Sequence, residues 1–393
     1  LRFGVVSCSD YVDGYFHGYR KLAERNDIDA ILHLGDYIYE NGSAGSIGRP
    51  HEPPKRITEL EDYRQRYSQY RLDADLRCAH QMYPFINVWD DHEVANNAWR
   101  DGAEAHDFPA DGVWEHRKRM AIQAFYEWIP IRHPNPSDTA RIYRTSHWGD
   151  LLDFMMLDTR IIARDEQASG AAIDDPNRNL LGPDQLSWLS AEMQNSGAQW
   201  KVIGQQVMMA PLLLPLIGPF TTDAWDGYRA ERQRLYDTIV NNNIENVVVL
   251  TGDIHTSWAN NLESGNDAVG VEFICSSIST LNSPFPVTVS IIQISNPHIR
   301  YVNLDDHGYY ILDVNKQRAK ADYYFVGDIT DPNDNNETPE AFWFTNDGDM
   351  FLQEAQSATP PRPSLNVIQP SKDAPNPVGI GNAPETMALI GSY

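Results

Sequence analysis

The sequence predicts an α/β fold, in which short buried strands alternate with amphipathic helices and carry polar side chains to one sheet edge. Three observations predict it. Apolar runs of strand length recur at residues 3–8, 30–35, 84–89, 153–158, 200–203 and 247–251, and β-branched runs this short read as strands buried on both faces. Helical patterns separate most of them. Four of the runs end in groups that bind metals: Ser7-Cys8, Gly35-Asp36, Asp90-Asp91-His92-Glu93 and Gly252-Asp253-Ile254-His255. In open α/β sheets ligands gather beyond the carboxyl ends of the strands. The runs therefore aim Cys8, Asp36, Tyr39, Asp91, His92, Asp253 and His255 at one crevice. So many acidic and sulfur groups would repel one another and raise their own pKa values unless cations sat between them. A multinuclear metal site is the expectation.

Taken in order, the first unit reads strand, helix, strand, with the helix near residues 16–25, which suggests a right-handed crossover at the start of a layered sheet. Residues 41–51 are rich in Gly and Ser and form a loop beside the Asp36 turn, placed to shape access to it. Helical patterns follow at 57–82 and 113–128, the second with Trp114, Met120, Phe125 and Trp128 on one face. Next come a strand at 153–158, a helix at 184–195 opened by Gly182-Pro183, a strand at 200–203, a helix at 229–241 and a strand at 247–251. Beyond His255 the helical signal fades, and strands at 269–275, 309–314 and 321–326 suggest a closing sheet. After about Asp349 the text turns rich in Pro, Ala and Asn, beginning with Thr359-Pro360-Pro361-Arg362-Pro363. The expected division is a catalytic region at 1–349 and a Pro-rich extension at 350–393.

Composition sets the outer bounds. With 393 residues, 41% of them apolar, the chain builds one large α/β domain or two smaller ones. A net charge of −24 with no basic block disfavours nucleic acid and anionic lipid as partners. The longest apolar stretch, near 208–220, carries prolines at 211, 215 and 219 and cannot form a membrane-spanning helix. Three cysteines leave at least one thiol unpaired or ligating. Cys8 lies at a strand end, whereas Cys275 reads as a small buried hydrophobe and Cys78 has no evident partner. The chain opens at Leu1 in a strand pattern, as a processed or trimmed protein does. A secreted or periplasmic location is the expectation.

Asp36, in a turn that Gly35 allows to bend sharply, has the position to bridge two ions. A trivalent iron would hold the Tyr39 phenol and the Cys8 thiol as anions. In Asp90-Asp91-His92-Glu93 one carboxylate can ligate while His92 serves as a general acid, and the alternative is a helix N-terminus with acidic first-turn residues. Asn96-Asn97 offer amide donors to a substrate oxygen, or are loop residues. Asp253 and His255 share one side if the strand direction persists past Thr251. His33 reads as a satisfied core residue, and His17, His106 and His133 as surface or helix residues rather than ligands.

With these motifs in view the chain resembles the PhoD-like alkaline phosphatase and phosphodiesterase family, within the calcineurin-like metallophosphoesterases and akin to purple acid phosphatases. The resemblance runs in family order through Ser7-Cys8, residues 33–40, Asp90-Asp91-His92-Glu93, Leu157-Asp158-Thr159-Arg160, Trp225-Asp226-Gly227-Tyr228, residues 252–256 and His307-Gly308-Tyr309. It implies a four-layer αββα sandwich, two mixed β-sheets flanked by helices, with a metal cluster at the strand ends. It also implies Cys8, Asp36, Tyr39 and His255 as Fe3+ ligands, Asp36 bridging to Ca2+, Asp91 and Asp253 on the calcium side, and His92 as the acid. Asn97 and Arg160 are the candidates for holding phosphate oxygens. The wider superfamily opens with Asp-x-His and closes with Gly-His-x-His, where this chain has Cys8 and Asp253. The superfamily's middle His is replaced near Gln205-Gln206, either of which is a candidate weak ligand.

The function so implied is hydrolysis of small organic phosphate monoesters by attack of a metal-held hydroxide. The alternatives are a phosphodiesterase or phospholipase-D-like hydrolase, and a non-catalytic phosphate- or calcium-binding protein. With no basic groove and no cationic amphipathic helix in the sequence, long nucleic acids and bilayers are expected to be poor substrates. Oligomeric state is not encoded legibly.

Overall fold

The computed structural model describes residues 1–282 and 284–363. The chain runs through β1 (Arg2–Val6), α1 (His17–Glu24), β2 (Ala30–His33), α2 (Leu60–Tyr70), α3 (Ala74–Met82), β3 (Phe85–Asn87) and α4 (Trp114–Trp128). It continues through β4 (Arg144–Trp148), β5 (Leu152–Met156), α5 (Gly182–Asn195), β6 (Trp200–Gly204), β7 (Leu213–Leu214), β8 (Gly218–Pro219), α6 (Arg229–Asn241) and β9 (Val247–Thr251). The last part comprises β10 (Ser257–Ser264), β11 (Asp267–Ile274), α7 (Val289–Ser295), β12 (Ile299–Asn303), β13 (Gly308–Val314), β14 (Arg318–Val326), β15 (Glu337–Asn346) and β16 (Gln353–Glu354).

Two seven-stranded mixed sheets result. One has the order β16-β15-β14-β13-β1-β2-β3 and the other β12-β10-β11-β9-β6-β5-β4. Side-chain alternation explains the layering. In β5, β6 and β9, Phe154, Val202 and Val248 join the core shared with the first sheet, while Met155, Ile203 and Val249 join the core under α5 and α6. Phe3 of β1 meets Phe154 and Trp148 edge-on, with ring centroids 4.8 and 5.0 Å away, which ties the sheets face to face. Tyr19, Tyr67, Leu76 and Phe125 bury α1–α4 in the same core as the first sheet. The order is helices, sheet, sheet, helices, the four-layer sandwich expected from the sequence.

Several elements differ from the sequence reading. The single helical pattern at 57–82 is broken in two, because the Asp73 carboxylate accepts the Asp75 and Leu76 backbone N–H groups at 2.9 and 3.0 Å and starts a new helix. β10 escapes the period-2 reading because it buries polar residues; Asn260 donates to the Glu272 carboxylate of β11 at 3.0 Å. His17 is the first residue of α1 and is buried there, a helix residue as expected. The described part of the Pro-rich extension lies along the first sheet: β16 pairs with β15, the Thr359 N–H donates to Asp322, and Arg2 donates to the Pro360 carbonyl. Residues 364–393 lie outside the described residues. Among the described residues no helix is long and apolar enough to cross a membrane.

β1, β2 and β3 are mutually parallel, as are β6 and β9, so their carboxyl ends open on one edge. There the two sheets come close enough to require Gly252, where a Cβ would stand 2.7 Å from the Ser7 Cβ. At Gly35, φ is +111° and a Cβ would stand 2.4 Å from that of Asp90. Both glycines let strand ends approach until their side chains share one cleft.

Candidate metal centre

Three overlapping sets of ligand atoms form at this edge. Cys8, Asp36 and His255 make one, Asp36, Asp91 and His92 the second, and Asp90, Asp91 and Asp253 the third; within each set the atoms lie within 4.8 Å of one another. Asp36 and Asp91 each belong to two sets. Tyr39 joins through its hydroxyl, which donates to Asp36 at 3.1 Å, accepts from Thr280 at 2.7 Å and stands 3.5 Å from His255 Nε2. All of the metal ligands expected from the sequence thus converge, together with His92.

The backbone shows the cost of convergence. Cys8, Asp36, Asn97, Asp253 and His255 have φ between 53° and 65°, the left-handed region that residues with a β-carbon seldom adopt, Asn, Asp and His more often than the rest. Strain of this kind collects where the surrounding structure over-determines a functional arrangement. It also revises one expectation. The strand direction does not persist past Thr251, and Asp253 and His255 reach the cleft through successive left-handed turns rather than by alternation.

Burial sets the proton affinities. It pushes the Cys8 thiol well above its usual value, with Asp36 adding to the effect, and does the same to the Tyr39 phenol beside Asp36 and Cys8. Burial also raises Asp36, against the pull of His92, and lifts Asp253 to about 7. In each of these groups burial favours the protonated form. An anionic donor set requires positive charge between them, and the chemistry of the donors fits that role: a thiol, a phenol and an imidazole at one end and carboxylates at the other. Asp90 Oδ2 and Asp91 Oδ1 are buried and accept no hydrogen bond from the protein, as oxygens reserved for a cation would be.

Glu93, read from the sequence only as an acidic first-turn residue, and Glu40, which carried no assigned role, hold this arrangement. Glu93 accepts the backbone N–H groups of Asp36, Tyr37 and Asp90 at 3.0, 2.5 and 2.7 Å, which fixes the ends of β2 and β3 relative to each other. Glu40, fully buried, accepts the Asn96 N–H and stands 2.6 Å from His92 Nδ1, while His92 N–H donates to Asp36 at 3.3 Å. Burial alone would discharge His92, yet Glu40, Asp91 and Asp36 hold its pKa well above the usual imidazole range. Both glutamates lie within the sequence motifs. Asp223 and Thr280 border stretches of apolar and small residues and gave no signal.

Arg160 is fully buried, and its guanidinium reaches Asp90, Asp253 and, at 2.6 Å, Asp223. Its donors are therefore engaged by carboxylates, which is not the placement expected of a free phosphate clamp. The Asn97 side chain stands at the rim, donating to Glu104 at 2.5 Å, and its backbone N–H donates to Asp91. Gln205 and Gln206 are saturated by hydrogen bonds: Gln205 with Val207, Thr251 and Trp225, Gln206 with Trp89, Leu157 and Thr159. Tyr228 is core packing, its hydroxyl donating to the Asp165 carbonyl at 2.6 Å. His33 is satisfied by Tyr19 and the Gly35 N–H, and Cys275 is buried 3.2 Å from Ser7 Oγ.

Comparison with known proteins gives concordant results. The PhoD-like phosphatase family matches residues 3–323. Alkaline phosphatase D of Bacillus subtilis (strain 168) is 36% identical over 388 residues, covering 91% of this chain and 64% of that relative. The chain thus spans just under two thirds of the relative's length. A solved structure described as that of PhoD superposes with a TM-score of 0.82 at 35% identity, covering 91% of this chain and 72% of the other.

Removing one partner of a buried charge network leaves the others uncompensated. Arg160→Met is therefore expected to cost about 3 kcal/mol or more of stability, read from urea denaturation midpoints. Carboxylates with raised folded-state pKa values stabilise less as they ionise, so the deficit should shrink in mildly acidic buffer. A variant as stable as the parent at neutral pH would show that Arg160 does not balance this charge.

Proposed function

We propose, from the premise that the chain belongs to the PhoD-like phosphatase family, that it is a metal-dependent phosphoesterase acting on small organic phosphate monoesters. The observation that carries this reading is a pair of ligand sets, Cys8, Asp36 and His255 on one side and Asp90, Asp91 and Asp253 on the other, brought together where Asp36 and Asp91 meet beside His92. Two cations side by side suit in-line displacement at phosphorus, where both the attacking and the departing oxygen carry charge. Thiolate and phenolate donors favour ferric iron, and all-carboxylate donors favour calcium. Held by Cys8, Tyr39, His255 and Asp36 on the iron side, and by Asp36, Asp91 and Asp253 on the calcium side, the ions would supply Lewis-acid stabilisation and an acidified water.

The remaining steps belong to the chain's own residues. His92 is oriented through Nδ1 by Glu40, which leaves Nε2 to protonate the departing alkoxide. Glu40 keeps the imidazolium charged until transfer. Asn97, at the rim, is the donor suited to a phosphate oxygen. Arg160 acts at one remove, by offsetting the charge of Asp90, Asp223 and Asp253 so that these carboxylates can stay together. Calcium at the concentrations found outside cells fills sites of modest affinity, and a secreted or periplasmic location accords with that requirement.

Paired aryl monoester and diester substrates test the reading. A higher kcat/KM on the monoester, lost on chelation and restored by calcium, is the expected result. A diester preference would promote the phosphodiesterase alternative, and phosphate binding without turnover the non-catalytic one.

His92→Ala should lower turnover of an alkyl phosphate by roughly two to four powers of ten while metal content is retained. The loss should be much smaller on an activated aryl phosphate, whose leaving group needs no proton. Equal losses on both would remove His92 from the acid role.

If iron sits against Tyr39 and Cys8, the protein purified without chelator should be coloured by ligand-to-metal charge transfer. Tyr39→Phe should shift or bleach that band with the circular dichroism unchanged. A colourless parent free of iron by elemental analysis would refute the iron assignment.

A further inference from the structure

Residues 207–222 and 273–297 contain no Asp, Glu, Lys or Arg, in a chain where such residues make up 22%. The two segments are far apart in sequence and are packed together. Asn296 closes two hydrogen bonds on Leu213, accepting its N–H and donating to its carbonyl, both at 2.9 Å. Phe220 and Phe285 stack with centroids 4.4 Å apart, and His298 Nε2 lies 2.8 Å from the Pro211 carbonyl. From this braced base Leu213, Leu216, Ile217, Leu281, Ile291 and Ile294 project into solvent, Leu216 fully and Ile294 with 81% of its surface exposed. Leu216, at the tip of the β7–β8 hairpin, holds φ at 65°, a conformation that Gly would adopt without strain.

Exposed apolar surface of this extent, on a structure that fixes rather than folds it away, marks an interaction site. The surface adjoins the metal centre. Thr280, which donates to the Tyr39 hydroxyl, is followed directly by the exposed Leu281, and Thr222, which ends the other segment, precedes Asp223 of the Arg160 network.

We propose that this chargeless ledge docks the protein on a zwitterionic lipid surface and so holds the mouth of the metal centre against phosphate esters presented there. Charge selects the occupant. The chain carries −24, which repels an anionic bilayer and opposes close approach of a second copy, while the ledge itself offers nothing to pair with a charged partner. An interface that is apolar within and net neutral overall meets both conditions. This departs from the sequence expectation that a bilayer is a poor substrate, which rests on the lack of a cationic amphipathic helix; the ledge is a chargeless surface formed by two segments that only the fold brings together. The presentation of esters rests on the phosphoesterase reading; the docking does not.

Co-sedimentation of the full chain with phosphatidylcholine vesicles tests the proposal. The parent should bind, binding should weaken as phosphatidylglycerol is added, and Leu216→Ser combined with Ile217→Ser should lower the vesicle partition coefficient about tenfold or more. Both side chains are exposed, so hydrolysis of a soluble aryl phosphate should be unchanged in that variant. Failure of the parent to bind, or equal binding by the variant, would overturn the docking. So would a concentration-dependent dimer in sedimentation velocity that the same substitutions abolish, because the ledge would then belong to a second copy. Vesicle binding by a chain that hydrolyses nothing would uphold the docking and sink only the phosphoesterase reading.

Discussion

Like-charge crowding in a dry cleft is the constraint on which this structure turns. Asp36, Asp90 and Asp91 are buried where two sheets converge, and Asp253 meets them at the half-buried rim. Carboxylates so placed are stable only if something opposes their repulsion. The protein supplies two kinds of opposition. Arg160 enters as a buried cation touching several of them, and Glu93, itself a carboxylate, is satisfied by backbone N–H groups and serves as a clamp between strand ends. What these leave unbalanced, above all around Asp36, Cys8 and Tyr39, is the charge requirement that makes cations part of the proposed site.

The layered architecture was legible because it rests on local patterns. Runs such as 247–251 are apolar at every position and lie between two cores, so the strand reading and its double burial follow from the same residues. Helix boundaries were legible where a breaker residue marks them, as at Gly182-Pro183, which open α5 with Pro in its first turn. They failed at Asp73, where a single carboxylate stops one helical pattern and starts another. β10 was missed for a different reason. Its Asn260 is paid for by Glu272 on the neighbouring strand, a compensation invisible until the two are in register.

At the site, the ligand candidates were visible because each ends a strand. The supporting residues were less so. Glu40 and Glu93 stand inside recognisable motifs, but their work is to hold backbone amides and an imidazole across distances of more than fifty residues. Arg160 was read from its chemistry as a phosphate donor, because a guanidinium suits phosphate and carboxylate alike; only the fold shows which of the two it meets. Asp223, which shares Arg160 with the cluster and also binds Arg164, has no sequence signal at all.

The left-handed residues at the strand ends have a consequence for how this chain would respond to improvement. Each non-glycine residue in that conformation carries about 1–2 kcal/mol of steric cost, and Cys8, Asp36, Asp253 and His255 bear it together. A library screened for heat tolerance alone would be rewarded for glycine at these four positions, and would discard a donor with each gain. Thermal robustness and the cleft thus compete for the same codons. A hardened derivative with substitutions there would have bought its tolerance by dismantling the centre.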